Sequence, residues 1–205
     1  MSEIDVWNHY QRVKLDILKE TKNHDLMFVI MVGMNKEVIR RKVPRLTPQN
    51  YDQIITGRTL SIHTSMGMYE EYGILDIDVG NDGYKWAQIT TRNVYDFVMD
   101  KMPIISTAQI RFTGKTSFHI KCNFKGKMKI DVIKFLFQKF LNESDLSKIY
   151  SIGRTRRAGV PNIDLNRNCL RCNHITLNAL SVLGLKCMDV PYQSLMKFDP
   201  RQARI

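Results

Sequence analysis

An apolar run that carries two acids sets the terms for the rest of this chain. In Tyr72-Gly73-Ile74-Leu75-Asp76-Ile77-Asp78-Val79-Gly80, two aspartates stand two apart among residues that otherwise read as buried. Side chains alternate along a strand, so Asp76 and Asp78 project together while Ile74, Leu75, Ile77 and Val79 fill the apolar positions. Two like charges side by side repel, and a hard divalent cation that takes oxygens from both carboxylates resolves the conflict. A half-exposed strand with two solvated acids is the plainer reading of an arbitrary Asp-x-Asp. Here the acids interrupt an apolar run, which favours a site.

The flanking chain supplies enough core to bury such a strand. Its 205 residues suffice for one large domain or two small lobes. Ile4, Trp7, Tyr10, Val13 and Ile17 recur at helical spacing, so Glu3 to Lys22 is expected to be an amphipathic helix. Leu26 to Val32 and Glu37 to Val43 read as paired strands turning at Gly33-Met34-Asn35. Thr47-Pro48 opens a short helix that ends before Gly57. Strands are expected at Leu60 to Ser65, Ile104 to Phe112, Ser117 to Asn123, Asn162 to Leu165 and Ile175 to Leu180, and helices at Thr91 to Met102 and Ile130 to Leu141. Hairpins and helices alternate without a βαβ repeat, so the expected class is α+β on an antiparallel or mixed central sheet flanked by helices. The expected organisation is a single catalytic domain over 1–205, with an N-terminal lobe over 1–58 and a catalytic core over 59–205.

Charge narrows the partners. The net charge of +11 creates a field that attracts polyanions, nucleic acid before anionic membrane. Arg40-Arg41-Lys42 and the turn Arg154-Thr155-Arg156-Arg157 concentrate it, and Arg40, Arg41, Lys42, Arg154, Arg156 and Arg157 are the candidate nucleic-acid contacts; a solvated, charged strand edge is the bland alternative for the first cluster. No stretch approaches the roughly 20 apolar residues of a bilayer span, and the N-terminus lacks a basic-then-apolar leader, so a soluble intracellular protein of cytoplasm or nucleus, with no membrane partner, is expected.

Two further stretches carry chemistry. Thr113-Gly114-Lys115-Thr116 ends like a Walker phosphate loop, but that pattern needs a glycine where Gln109 stands, and a strand follows rather than a helix. What remains is Ser117 and His119 on one strand face beside Lys115, the kind of donors that surround a triphosphate. A third acid, Asp164, sits in the short apolar strand after the basic turn. Three carboxylates suffice to hold two divalent ions. Cys169-Leu170-Arg171-Cys172-Asn173-His174 offers three ligands at zinc spacing, with Cys187 or Cys122 as a fourth. Zinc sites usually show a second clear pair, and none is present, so buried or free thiols are preferred to zinc.

Taken in order, Leu75-Asp76-Ile77-Asp78, Ser117-Phe118-His119 and Ile163-Asp164 resemble the three motifs of the archaeo-eukaryotic primase superfamily: an acidic D-x-D/E strand, an S-x-H strand and a later hydrophobic-Asp strand. The chain is most similar to the polymerase domains of end-joining ligases and to small primase-polymerases, over residues 60 to 192, including the turn Thr113 to His119, the run Arg156 to Asp164 and the late stretch Ser181 to Pro191. The resemblance implies an RRM-like catalytic core in which Asp76, Asp78 and Asp164 bind two Mg²⁺ or Mn²⁺ ions and Ser117, His119 and Lys115 hold nucleotide phosphates. Two positions depart from it. Ser117 stands where the ligase-associated domains have glycine, and Leu183 where they have a basic residue, so Lys186 or an arginine of 154 to 157 is expected to supply that charge.

The expected activity is template-dependent nucleotidyl transfer, by a primase or polymerase, to a 3′-hydroxyl in DNA replication or repair. The expected partners are DNA or RNA template-primer, nucleoside triphosphates and a separately encoded ligase, helicase or primase subunit. A non-catalytic nucleic-acid-binding module with a polymerase-like sheet is the alternative. A metal-dependent nuclease ranks below both, because it has little need for Ser117 and His119 beside a lysine-bearing turn.

Overall fold

The computed structural model describes residues 2–32, 37–43, 45–78, 83–153, 160–170, 172–181 and 183–205. The N-terminal amphipathic segment forms two helices, α1 (Glu3–Arg12) and α2 (Lys14–Glu20), where one was expected. Ser2 caps α1 and exchanges hydrogen bonds with Asp5 in a capping box, while Val13 leaves helical geometry and divides the segment. Val6, Tyr10 and Ile17 nonetheless reach one core.

Strands β1 (Leu26–Val32) and β2 (Glu37–Val43) pair antiparallel with the expected bounds. After the one-turn α3 (Tyr51–Ile54) come β3 (Thr59–Ser65) and the acidic strand β4 (Tyr69–Asp78). Helix α4 (Tyr84–Lys101) starts two turns before its expected onset; its buried positions there are filled by Ala87, Gln88 and Thr90 rather than by large apolar side chains. Strands β5 (Ile105–Phe112) and β6 (Phe118–Lys129) form a hairpin, and β6 runs past Asn123 because a bulge lets Tyr69 and Glu70 of β4 pair with Lys129 and Met128. Helices α5 (Ile130–Asn142) and α6 (Leu146–Ile149) follow, then the short strands β7 (Ser151–Ile152), β8 (Asn162–Asp164), β9 (Asn173–Ile175) and β10 (Met188–Asp189), and two 3₁₀ turns at Tyr192–Lys197 and Pro200–Ala203.

The expected strand Ile175 to Leu180 is corrected: β9 ends at Ile175, and the chain turns where Ala179 N–H bonds Thr176 O and Asn178 takes a positive φ of 62°. The strands make two sheets, ordered β2-β1-β3-β9 and β10-β5-β6-β4-β8-β7. Strand β3 therefore belongs with the N-terminal strands, and β9 rejoins them from far along the chain, so the sheets do not divide at residue 58. The class is α+β; among the described residues the strand pairs are antiparallel except β7 beside β8, which is parallel.

Each sheet buries one face under helices. Phe28, Ile62 and Ile175 of the first pack with Tyr10, Ile17, Tyr51 and Ile55. Leu75, Ile77, Ile120, Cys122 and Ile163 of the second pack with Val94 and Val98 of α4 and Ile133 and Phe137 of α5. Gly73 is required there, since a Cβ would come 2.5 Å from the Phe137 ring. Strand alternation sends the intervening residues of both sheets to their other faces, which line a shared cleft. Among the described residues, no helix is long and apolar enough to cross a membrane.

Candidate functional site

Register decides which side chains meet. Residues directly opposite on antiparallel strands share a face with their Cβ atoms about 5 Å apart. Arg111 on β5 lies opposite His119 on β6, His119 lies opposite Asp76 on β4, and Asp76 lies opposite Asp164 on β8. One row across four strands therefore carries two basic groups and two carboxylates, all on the face turned from α4 and α5. Asp78, two residues beyond Asp76, shares that face and pairs with Asn162.

The row is buried and electrostatically matched. Asp76 is 5% exposed and His119 3%, and His119 Nε2 lies 3.6 Å from Asp76 Oδ1. Arg167, from the loop after β8, places Nε 3.1 Å from Asp76 Oδ2 and donates through NH1 to Asn173 O at 3.0 Å. Burial works against ionising Asp76, yet His119 and Arg167 outweigh it and hold its pKa at about 2. Arg111, 2% exposed, is neutralised by Glu20 of α2 at 2.6 Å and Asp189 at 3.0 Å. Lys121 bonds the same Glu20 and lies 4.3 Å over the Tyr72 ring.

Opposite this row stands the inner face of the first sheet. Val29, Arg40, Ser61 and His63 join Asp76, Lys115, Ser117, His119, Arg167 and Ser181 around a cavity of about 300 Å³. Arg40 also lines a neighbouring cavity with His63, Asp164 and Arg167. Burial, then the charges of Arg167, His119 and Arg40, push the His63 pKa down to about 4.

The β5–β6 turn owes its shape to Gly114, at φ +82°, where a Cβ would lie 2.6 Å from Leu185 O. Ser181 Oγ donates to Gly114 O at 2.5 Å, so Ser181 and Leu185 buttress the turn. Ser117 Oγ shares a 2.7 Å hydrogen bond with Thr113 Oγ1, and Lys115 is exposed at the cavity rim.

Solved structures share this overall fold. The polymerase domain of Mycobacterium tuberculosis ligase D, solved in complex with DNA, superposes with a TM-score of 0.76 at 13% identity, covering 97% of this chain and 83% of that one. The chain has the primase-polymerase fold. The primase-polymerase domain of cyanophage S-2L is also similar, with a TM-score of 0.52 at 12% identity over 97% of this chain and 94% of that domain. No protein-family model and no curated protein sequence matches the chain.

Within this fold the residues singled out in sequence separate into groups. Asp76, Asp164, Ser117, His119 and Lys115 line one cleft, with Arg40 across it. Lys42, opposite Met27, lies on the same side of β2 two residues on, beside Asp25 and Asn173. Arg41 pairs with Phe28 in the register. Arg154, Arg156 and Arg157 lie outside the described residues. Lys186 is not among the residues lining the cleft: it bridges to Leu180, and its charge acts on His9 of α1.

The zinc ligands come apart. His174 faces inward on β9, where Thr64 Oγ1 lies 3.1 Å from Nδ1 and the Tyr72 hydroxyl 3.3 Å from Nε2. Cys122 and Cys187 are buried in separate cores. Among the described residues, no three His, Cys, Asp or Glu side chains stand close enough to hold a metal as placed, the three aspartates included. The donor set nonetheless suits a hard divalent ion. Asp76 and Asp164 are register partners with Asp78 alongside, and Asp76 Oδ1 is buried without a hydrogen bond. Arg167 and His63, central to the site, were not singled out in sequence: Arg167 stands alone between two asparagines, whereas His63 follows Ser61 at the strand spacing shared by Ser117 and His119, a signal that could have found it, and the Ser61 and His63 side chains lie 2.9 Å apart.

Proposed function

We propose that this chain is a template-dependent nucleotidyltransferase that joins nucleoside triphosphates to a 3′-hydroxyl. The observation that carries the reading is the register row His119, Asp76 and Asp164, with Arg40 lining both adjoining cavities, beside Asp76 and His119 in one and beside Asp164 in the other.

Each side chain then has a task. Two magnesium or manganese ions held by Asp76, Asp78 and Asp164 would acidify the attacking hydroxyl and neutralise the departing pyrophosphate. Ser117 and Lys115, at the mouth of the Gly114 turn, bind the β and γ phosphates, and His119 donates from the strand floor to fix their orientation. Asp76 is ionised over the whole physiological range, so no proton has to leave it before cations assemble. Arg40 and Lys42, two apart on an exposed strand, draw the template backbone to the cleft by charge. The high positive charge of the whole chain adds to that attraction.

A second reading, a nucleic-acid-binding module without catalysis, is favoured by one observation: Arg167 already neutralises Asp76. Calorimetry separates the two. Titration of a magnesium–triphosphate complex should release heat in the wild-type chain and lose it in His119→Ala. An absence of heat in the wild type, with salt-sensitive DNA binding retained, would establish the module.

A further inference from the structure

The loop from β8 to β9 holds a Cys169-x-x-Cys172 pair that nucleotidyl transfer leaves unused. Its backbone closes on itself, Cys172 N–H donating to Cys169 O at 2.9 Å. A turn of this kind keeps its end Cα atoms within about 7 Å, close to the span a disulfide bridges. Burial first, then the neighbouring Cys169 sulfur, raises the Cys172 thiol pKa. From α5, Lys134 Nζ reaches Cys169 Sγ at 3.2 Å and Asn166 Oδ1 at 3.4 Å. An ammonium therefore stands beside the Cys169 sulfur, and the second cysteine closes the other end of the same turn. Both cysteines are half-buried, whereas Cys122 and Cys187 are fully buried.

We propose that Cys169 and Cys172 form a redox-active dithiol that exchanges with low-molecular-weight disulfides. Cys169 loses its proton and attacks one sulfur of the small disulfide; that S–S bond breaks, and the departing thiolate takes up a proton. Cys172 then loses its proton and attacks Cys169 Sγ, the mixed disulfide breaks, and a second small thiol leaves. One small disulfide and two protein thiols become one protein disulfide and two small thiols, with no other reactant. Cys172 lines the same cavity as Asp164, Asn166 and Arg167, so the new bond forms in the wall of the cleft.

The test equilibrates the full chain with graded mixtures of reduced and oxidised glutathione, quenches with acid, alkylates and maps peptides by mass. The expected product is a Cys169–Cys172 disulfide, two hydrogens lighter than the dithiol and reversed by reduced glutathione. Cys172→Ser should stop at glutathione joined to Cys169, and Lys134→Gln should slow the wild-type reaction about threefold or more at neutral pH. The double variant Cys122→Ser/Cys187→Ser should still form the bond. Wild-type cysteines that remain fully alkylated in oxidised glutathione, or that keep glutathione without closing the ring, overturn the proposal. So does a Lys134→Gln chain that reacts at the wild-type rate.

Discussion

Replacing Asp76 by asparagine separates two pictures of the carboxylate row. If the acids simply crowded one another while awaiting cations, deleting one charge would relieve repulsion and stabilise the metal-free protein. Instead, Asp76 is matched by His119 at 3.6 Å and Arg167 at 3.1 Å, and its pKa falls from 3.8 to about 2. A drop of nearly two units corresponds to about 2 kcal/mol of folded-state preference for the ionised form. Because the folded pKa is depressed, this stabilisation is complete above pH 4 and is lost as pH falls from about 4 to 2. Asp76→Asn should therefore unfold in urea with a stability about 2 kcal/mol below wild type in EDTA at pH 7. The gap should stay constant down to pH 4 and close below it. Equal or greater stability of the variant at pH 7 would refute the pairing argument.

Other perturbations test other parts of the structure. His9, His63 and His174 all have lowered pKa values, chiefly through burial, that of His63 to about 4. The folded chain thus binds fewer protons than the unfolded one between pH 6.5 and 4, so stability should fall as pH falls through that window. His63 alone accounts for about 3 kcal/mol by pH 4, and His63→Gln should flatten a plot of urea midpoint against pH accordingly. Gly114→Ala must accept both a φ of +82° and a contact 2.6 Å from Leu185 O, which should cost about 2 kcal/mol or more and weaken triphosphate binding together with the thermal midpoint. Arg40→Gln should weaken DNA binding at low salt and reduce the slope of log affinity against log salt by about one; an unchanged slope would remove Arg40 from the interface.

How far the sequence reached depended on whether a feature was local. Leu26 to Val32 is an unbroken apolar run with a patterned partner, and both strands stand where their periodicity put them. The resemblance grouped Asp76, His119 and Asp164 in one site, and the register sets His119 and Asp164 on either side of Asp76. Sheet membership was not local. Strand β9 pairs with β3 about 110 residues away, through contacts such as Thr64 opposite His174, and nothing near either residue announces the other. His174 shows the cost of reading spacing without alternation: beside two cysteines it resembled a ligand, while the pleat of β9 turns it inward to Thr64 and Tyr72. Arg167 was hidden differently, since an arginine between two asparagines has no pattern until the loop folds and Asn168 bonds both the N–H and the carbonyl of Ile74 on β4.

The account rests on Asp76, Asp164 and His119 acting as one site, and nucleotide incorporation on a primed template tests that most directly. The wild-type chain, supplied with ribo- or deoxyribonucleoside triphosphates and magnesium or manganese, should lengthen the labelled primer. Asp164→Ala and the pair Asp76→Ala/Asp78→Ala should lengthen it at least a hundredfold more slowly while keeping wild-type circular dichroism. A wild-type chain that extends no primer under any of these conditions, or an Asp164→Ala chain that extends it at the wild-type rate, would contradict the account.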